Sequence, residues 1–238
     1  SVKEFYTKEE FLPESVYLTE KLKELKIKVI NSAHGLGIYG TIINYDVFNV
    51  FTKIQKDHYK RSSDTKFKLF KPINSLNQES ISKKEIAIFF IHQNVLSTPS
   101  RKSSVTKGIY EEIIDYIEKI ALDLKVLVFA KYHPGSTEKD KLLSNKINII
   151  DEIEDLPNEY KYIAITLHSS YVLELLGSMP FLVVNPYNHI NMKELFPEDN
   201  AFYANTYRDF KEKIQKFLED REMYYKYWNK LISLIFKI

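Results

Sequence analysis

Short apolar runs separated by helix-compatible segments restrict the fold of this chain more than any other feature. Glu85-Ile86-Ala87-Ile88-Phe89-Phe90-Ile91 is continuously apolar after its first residue, the pattern of a strand covered on both faces. Val126–Ala130, Ile147–Ile150, Ile163–Leu167 and Phe181–Val184 read as further strands. Between the first two, Ile109, Ile113, Ile117, Ile120 and Leu124 recur at helical spacing and form one apolar face. Tyr171–Ser178 reads as a helix that Gly177-Ser178-Met179-Pro180 closes, and Arg208–Leu218 and Arg221–Phe236 read as the last two helices. Strands alternating with helices predict βαβ units, a parallel sheet and right-handed crossovers.

The chain before residue 85 is organised differently. The polar stretch Lys71–Ser80 lacks periodicity and predicts a linker over 71–84, with a smaller α/β unit over 1–70 and a Rossmann-like domain over 85–238. In the smaller unit a helix is expected near Glu14–Leu25, strands at Lys28–Ser32 and Val47–Phe51, and a polar helix around Ile54–Lys60. These elements are too few for a full doubly wound domain. Either this unit is reduced or the chain is a piece of a longer protein.

Composition narrows the function. Of 238 residues, 34 are Lys or Arg and 32 Asp or Glu, a formal charge of +2 that gives no field for nucleic acid. The absence of cysteine excludes disulfides and thiolate metal sites and fits a reducing compartment. No apolar run approaches the roughly 18 residues that span a bilayer, and no signal-peptide pattern opens the chain. The expected setting is cytoplasmic. Tyr224, Trp228, Leu231 and Ile235 form a helical stripe among Lys226, Lys230 and Lys237, a composition also found in interfacial membrane helices, so a peripheral contact with the inner leaflet stays open. Packing of that stripe on the protein is preferred, because it would otherwise expose a large apolar patch.

Chemistry concentrates where strands end. His133-Pro134 follows the Val126–Ala130 strand; proline presets the turn and pushes His133 into an extended conformation, aiming an imidazole that can hydrogen-bond a phosphate and stabilise a departing nucleotide. Ser169-Ser170 follow Ile163–Leu167 and open the next helix, as N-caps or as phosphate ligands beside free N–H groups. Glu174, one turn on from Ser170, is a candidate for a ribose or sugar contact or an ordinary surface acid. His34-Gly35 follows the Lys28–Ser32 strand and is a candidate catalytic base or a turn histidine. His92 and Gln93 follow the Glu85–Ile91 strand, and His189 follows Phe181–Val184; they are candidate donor or acceptor contacts, whereas His58 reads as solvent-facing. Gly35-Leu36-Gly37-Ile38-Tyr39-Gly40 matches the dinucleotide fingerprint in letters, but no complete Rossmann half surrounds it. No metal-ligand spacing and no Gly-x-Ser-x-Gly elbow occurs, so neither a tightly held metal nor an α/β-hydrolase is expected.

Taken in order, His34-Gly35, His133-Pro134 and Thr166-Leu167-His168-Ser169-Ser170 resemble the motifs of bacterial surface-polymer transferases of two-Rossmann-domain (GT-B) architecture. CDP-glycerol glycerophosphotransferases of the teichoic-acid type show HG, HP and T-x-x-S-S stretches; capsule sialyl- and Kdo-transferases show HP and SS motifs. The teichoic-type stretch carries an aspartate where this chain has Leu167. The resemblance implies a GT-B-like fold and a metal-independent transferase with no tightly bound cofactor. Its donor would be a CMP- or CDP-linked, less readily a UDP-linked, sugar or polyol phosphate. Its acceptor would be a hydroxyl of a capsule or teichoic-type glycan or polyol-phosphate chain. It further implies that His133, Ser169 and Ser170 hold the donor phosphates and that His133 and His34 are catalytic. A nucleotide-sugar epimerase of the same fold and a non-catalytic nucleotide-binding or scaffold domain are the alternatives.

Overall fold

A computed structural model of the chain describes residues 2–8, 13–33, 43–60, 63–69, 84–93, 107–137, 143–167, 169, 171–186 and 203–236. It is an α/β protein with two sheets, each wholly parallel. The chain divides into two compact units. The first holds the first four strands and the end of the last helix from Ile232; the second holds the remaining six strands and that helix up to Leu231. The expected linker over 71–84 lies, but for Lys84, outside the described residues.

In the first unit, β1 (Glu4–Thr7), β2 (Lys28–Ser32), β3 (Val47–Val50) and β4 (Lys66–Leu69) lie side by side in chain order. Phe5, Val29, Phe48 and Phe67 share one face by register and pack with Leu22 of α1 (Pro13–Glu24) and Tyr59 of α2 (Lys53–Tyr59). α1 stops at Lys26, whose φ of 59° is left-handed. There the Lys26 and Ile27 N–H groups bond back to the Lys23 and Leu22 carbonyls, the paired closure that satisfies a helix end. α2 starts in a capping box: Thr52 Oγ1 accepts from the Gln55 N–H at 3.1 Å, and the Gln55 side chain accepts from the Thr52 N–H.

The second unit contains β5 (Glu85–Ile91), α3 (Lys107–Leu124), β6 (Val128–Lys131), β7 (Asn148–Ile150), β8 (Tyr160–Thr166), α4 (Tyr171–Leu175), β9 (Phe181–Val184), β10 (Tyr203–Ala204), α5 (Tyr207–Glu219) and, up to Leu231, α6 (Arg221–Phe236). Its strand order is β10-β9-β8-β5-β6-β7. Numbered within the unit and read from β7, that is 3-2-1-4-5-6, the order of the Rossmann sheet. Ala87, Ile88, Phe89 and Phe90 are all fully buried, so β5 is covered on both faces, as its unbroken apolar run implies. α3 buries Ile113, Ile117 and Ile120. In α6, Tyr224, Trp228, Leu231 and Ile235 are all buried. The Tyr224 hydroxyl donates to the Tyr162 carbonyl at 2.9 Å, and Trp228 Nε1 donates to the Leu176 carbonyl at 2.7 Å. The aromatic stripe is therefore interior packing. Among the described residues no helix is long and apolar enough to cross a membrane.

Several boundaries differ from the sequence reading. α4 ends at Leu175 rather than running to Ser178, and a turn follows in which the Ser178 and Met179 N–H groups share the Leu175 carbonyl. β6 starts two residues later than expected, after Lys125 ends α3 at a φ of 52°. β1, β4 and β10 were not expected. The first two have no buried residue and carry exposed ones along half or more of their length, and the third is only two residues long.

Candidate functional site

The chain builds the second sheet outward from β5 in one direction, then returns with β8 to the other side of β5. At such a reversal the loops leaving the two central strands part, and the crevice outside their carboxyl ends accepts ligands. β5 pairs with both neighbours up to this edge, with Ile91 opposite Lys131 of β6 and Phe90 opposite Ile165 of β8. His92-Gln93, Tyr132-His133 and Leu167 with Ser169 therefore emerge at the same end of adjacent strands.

Burial singles out this edge independently of topology. The buried polar residues described in the second unit are His92, Gln93, Thr166 and Asn185. Each lies at the carboxyl end of a strand: His92 and Gln93 just after β5, Thr166 at the end of β8, and Asn185 just after β9. Burying polar groups is costly unless they are paired, so the concentration of the described buried polar side chains at one end of the sheet marks that end out.

Their partners are specific. The His92 N–H donates to the Lys131 carbonyl at 3.1 Å, and its Nε2 meets the Tyr110 hydroxyl from the first turn of α3. That hydroxyl donates to the Gln93 carbonyl at 3.2 Å. The His92 ring stands edge-on to Tyr132, Tyr110 and Phe90, with centroids 4.6, 5.3 and 5.9 Å away. At 1% exposure His92 is enclosed by aromatic rings and fixes the end of β5. Lys131 is committed to the neighbouring β7 loop, where its Nζ meets the Asp151 carbonyl and lies 2.7 Å from Glu152 Oε2.

His133 is exposed. Its Nδ1 accepts from the Gly135 N–H at 3.0 Å, and its carbonyl accepts from the Ser136 N–H at 2.8 Å, so the turn folds back on the histidine. The Ser136 Oγ is buried and has no hydrogen-bond partner among the described residues. On β8, Thr166 Oγ1 accepts from the Ser169 N–H at 2.9 Å, and Ser169 Oγ accepts from the Tyr171 N–H at 3.3 Å. Ser169 Oγ thus satisfies the N–H of the first residue of α4, and its hydroxyl keeps its own proton to donate. The structure brings His92, Gln93, His133 and Ser169 to one sheet edge. His34, Ser170 and His189 lie outside the described residues; Glu174 lies on α4, with its side chain outside them.

The ionisations that the fold moves most lie elsewhere. Burial, helped by Glu159 and Tyr160, pushes the Tyr162 phenol up to about 12, and burial raises the Tyr224 phenol further still. The Tyr224 hydroxyl, on α6, donates to the Tyr162 carbonyl, and the Tyr162 hydroxyl donates to the Pro157 carbonyl at 2.7 Å.

Sequence reasoning passed over Asn185 and Tyr110 and took Thr166 only as a motif letter. Two signals were available. A polar residue that closes an apolar strand, as Thr166 closes Ile163-Ala164-Ile165 and Asn185 closes Phe181–Val184, has to be satisfied at the sheet edge. Tyr110 precedes Ile113, Ile114 and Ile117 on the buried side of α3, where a phenol needs a polar partner.

No family model and no curated protein matches the chain. Among solved structures, it is similar to a glycosylation-associated protein (Gap123) complex from Streptococcus agalactiae, with a TM-score of 0.55 and 11% sequence identity. The match covers 98% of this chain and 52% of the other, so this chain spans about half the length of that neighbour, and the likeness is one of fold.

Proposed function

We propose that this protein acts in glycosylation and that its second unit binds the nucleotide part of an activated donor at the carboxyl edge of β5 and β8. The observation that carries the reading is the coincidence of two features. The 3-2-1-4-5-6 order puts a switch point at that edge, and the described buried polar residues of the unit gather there. Similarity to a glycosylation-associated protein complex supports the biological setting. In this reading the protein is a metal-independent GT-B-type transferase. His133 hydrogen-bonds the donor phosphate, Ser169 and Ser170 contact the same group, and the fixed donors stabilise the charge that develops as the nucleotide departs. A cytidine-linked donor and a surface-glycan acceptor follow from the motif resemblance.

A second reading, a scaffold without turnover, draws on different observations. The enclosed His92 and the engaged Lys131 leave fewer reactive groups at the edge than a transferase ordinarily offers, and the structural neighbour is described as a complex. Calorimetric titration of CMP, CDP and UDP decides between them. Saturable binding that His133→Ala weakens supports the donor site; no heat at millimolar nucleotide supports the scaffold. Free nucleotide appearing with an extended glycan identifies a transferase, and an isomerised nucleotide sugar identifies an epimerase.

A further inference from the structure

We infer that the turn after β6 holds His133 in the tautomer with its proton on Nε2, so that it offers a ligand a hydrogen-bond donor and not a base. Gly135 is the residue that positions it. The ligand role rests on the donor-site reading above; the tautomer does not.

The inference follows from what a backbone amide can do. The Gly135 N–H can only donate, so the ring nitrogen that meets it at 3.0 Å must present a lone pair. That nitrogen is Nδ1. A neutral imidazole has one N–H, which is then on Nε2. Pro134 stands between the two residues with a preset φ and no N–H to compete for the ring. The Ser136 N–H closes onto the His133 carbonyl at 2.8 Å, so two successive amides grip the histidine by ring and backbone. Nε2 lies on the far side of the ring of an exposed residue, and it is the nitrogen left to meet a ligand.

An Nε2–H group donates to oxygens that carry lone pairs, best to anionic ones such as phosphate or carboxylate. It has no lone pair there to take a proton from a sugar hydroxyl. His133 therefore stabilises a charged oxygen and does not deprotonate an acceptor, and any general base at this site is another residue.

The test is the ring ¹⁵N spectrum of labelled full-length protein above the pH at which histidine is charged, with His133 assigned by its loss in His133→Gln. The expected result is the Nε2–H pattern for His133 without nucleotide. It should persist in Gly135→Ala, which keeps the N–H; no described glycine has a positive φ, so alanine adds no backbone strain there. It should give way to tautomer averaging in Gly135→Pro, which lacks the N–H. An Nδ1–H pattern, or averaging in the unmodified protein, overturns the inference even if Gly135→Pro fails to fold. CMP titration adds a second arm: His133→Ala should lose about tenfold or more in affinity, and His133→Gln, which can donate but not act as a base, should recover most of it. Equal losses in both variants count against the donor role. If CMP does not bind at all, the donor-site reading fails while the spectrum still decides the tautomer.

Discussion

Thr166 is the residue whose replacement most directly tests how the sheet edge is built. Its side chain is fully buried, and its Oγ1 accepts from the Ser169 N–H at 2.9 Å, tying the first residues after β8 to the strand end. Thr166→Val keeps the shape and removes that acceptor. Ser169 is half-buried, so its amide can turn to water, and the net loss should be near the usual value for one hydrogen bond, about 1 kcal/mol. Thr166→Ser is the control: it keeps the acceptor but deletes a buried methyl, which costs about 0.8 kcal/mol. The two variants should therefore lower Tm by a similar amount, roughly 2–4 °C for a chain of this size. Amide hydrogen exchange should separate them. Thr166→Val should exchange the Ser169 N–H about fivefold faster, from the same 1 kcal/mol, and Thr166→Ser should not. If both variants leave Ser169 equally protected, or both expose it equally, Thr166 does not anchor this loop and the edge is held some other way.

Other expectations bear on packing and pH. Ile117→Ala removes a fully buried side chain from the face of α3 and should cost about 2–5 kcal/mol in urea unfolding. Tyr224→Phe deletes the donor to the Tyr162 carbonyl and leaves that buried oxygen unpaired, so denaturation should show a loss of about 1–3 kcal/mol. The Tyr162 phenol is raised from 10.0 to about 12 by burial, and that of Tyr224 is raised in the same direction. Folding therefore favours the protonated phenols: their contribution is intact below pH 10 and is lost as the pH climbs toward 12. A Tm that stays flat from pH 9 to 11.5 would contradict this burial.

The central strands were legible because their chemistry is simple. A strand covered on both faces has no polar alternation, and Ile86–Ile91 and Phe181–Val184 could be read directly. The edge strands β1 and β4 were not, because Glu4-Phe5-Tyr6-Thr7 and Lys66-Phe67-Lys68-Leu69 carry charge and exposed residues that equally describe a loop. Only pairing with β2 and β3 makes them strands. Helix ends divide. Those expected at Leu25 and Leu124 fall within one residue of the observed Glu24 and Leu124, although Lys26 and Lys125 close α1 and α3 in the left-handed region, where glycine is the usual signal; α4, expected to reach Ser178, ends at Leu175.

The same distinction governs the site. That His133, Ser169, His92 and Gln93 end strands could be read along the chain; that those strands are neighbours could not, because strand order is a tertiary property. β8 follows β7 in sequence, yet it lies beside β5 and three places from β7 across the sheet. This return to the middle turns scattered strand ends into one edge. It also explains the separation of roles between His92 and His133, two histidines that each follow a strand. β5 is central, and α3 delivers Tyr110 against His92, so that imidazole is spent on holding the edge together. His133 leaves β6, one strand farther from the switch, through a proline turn that bonds its own Nδ1 and carbonyl and leaves the ring exposed. An enclosed histidine that shapes the edge and an exposed one aimed by its turn are different devices, and only the second is placed to meet a ligand.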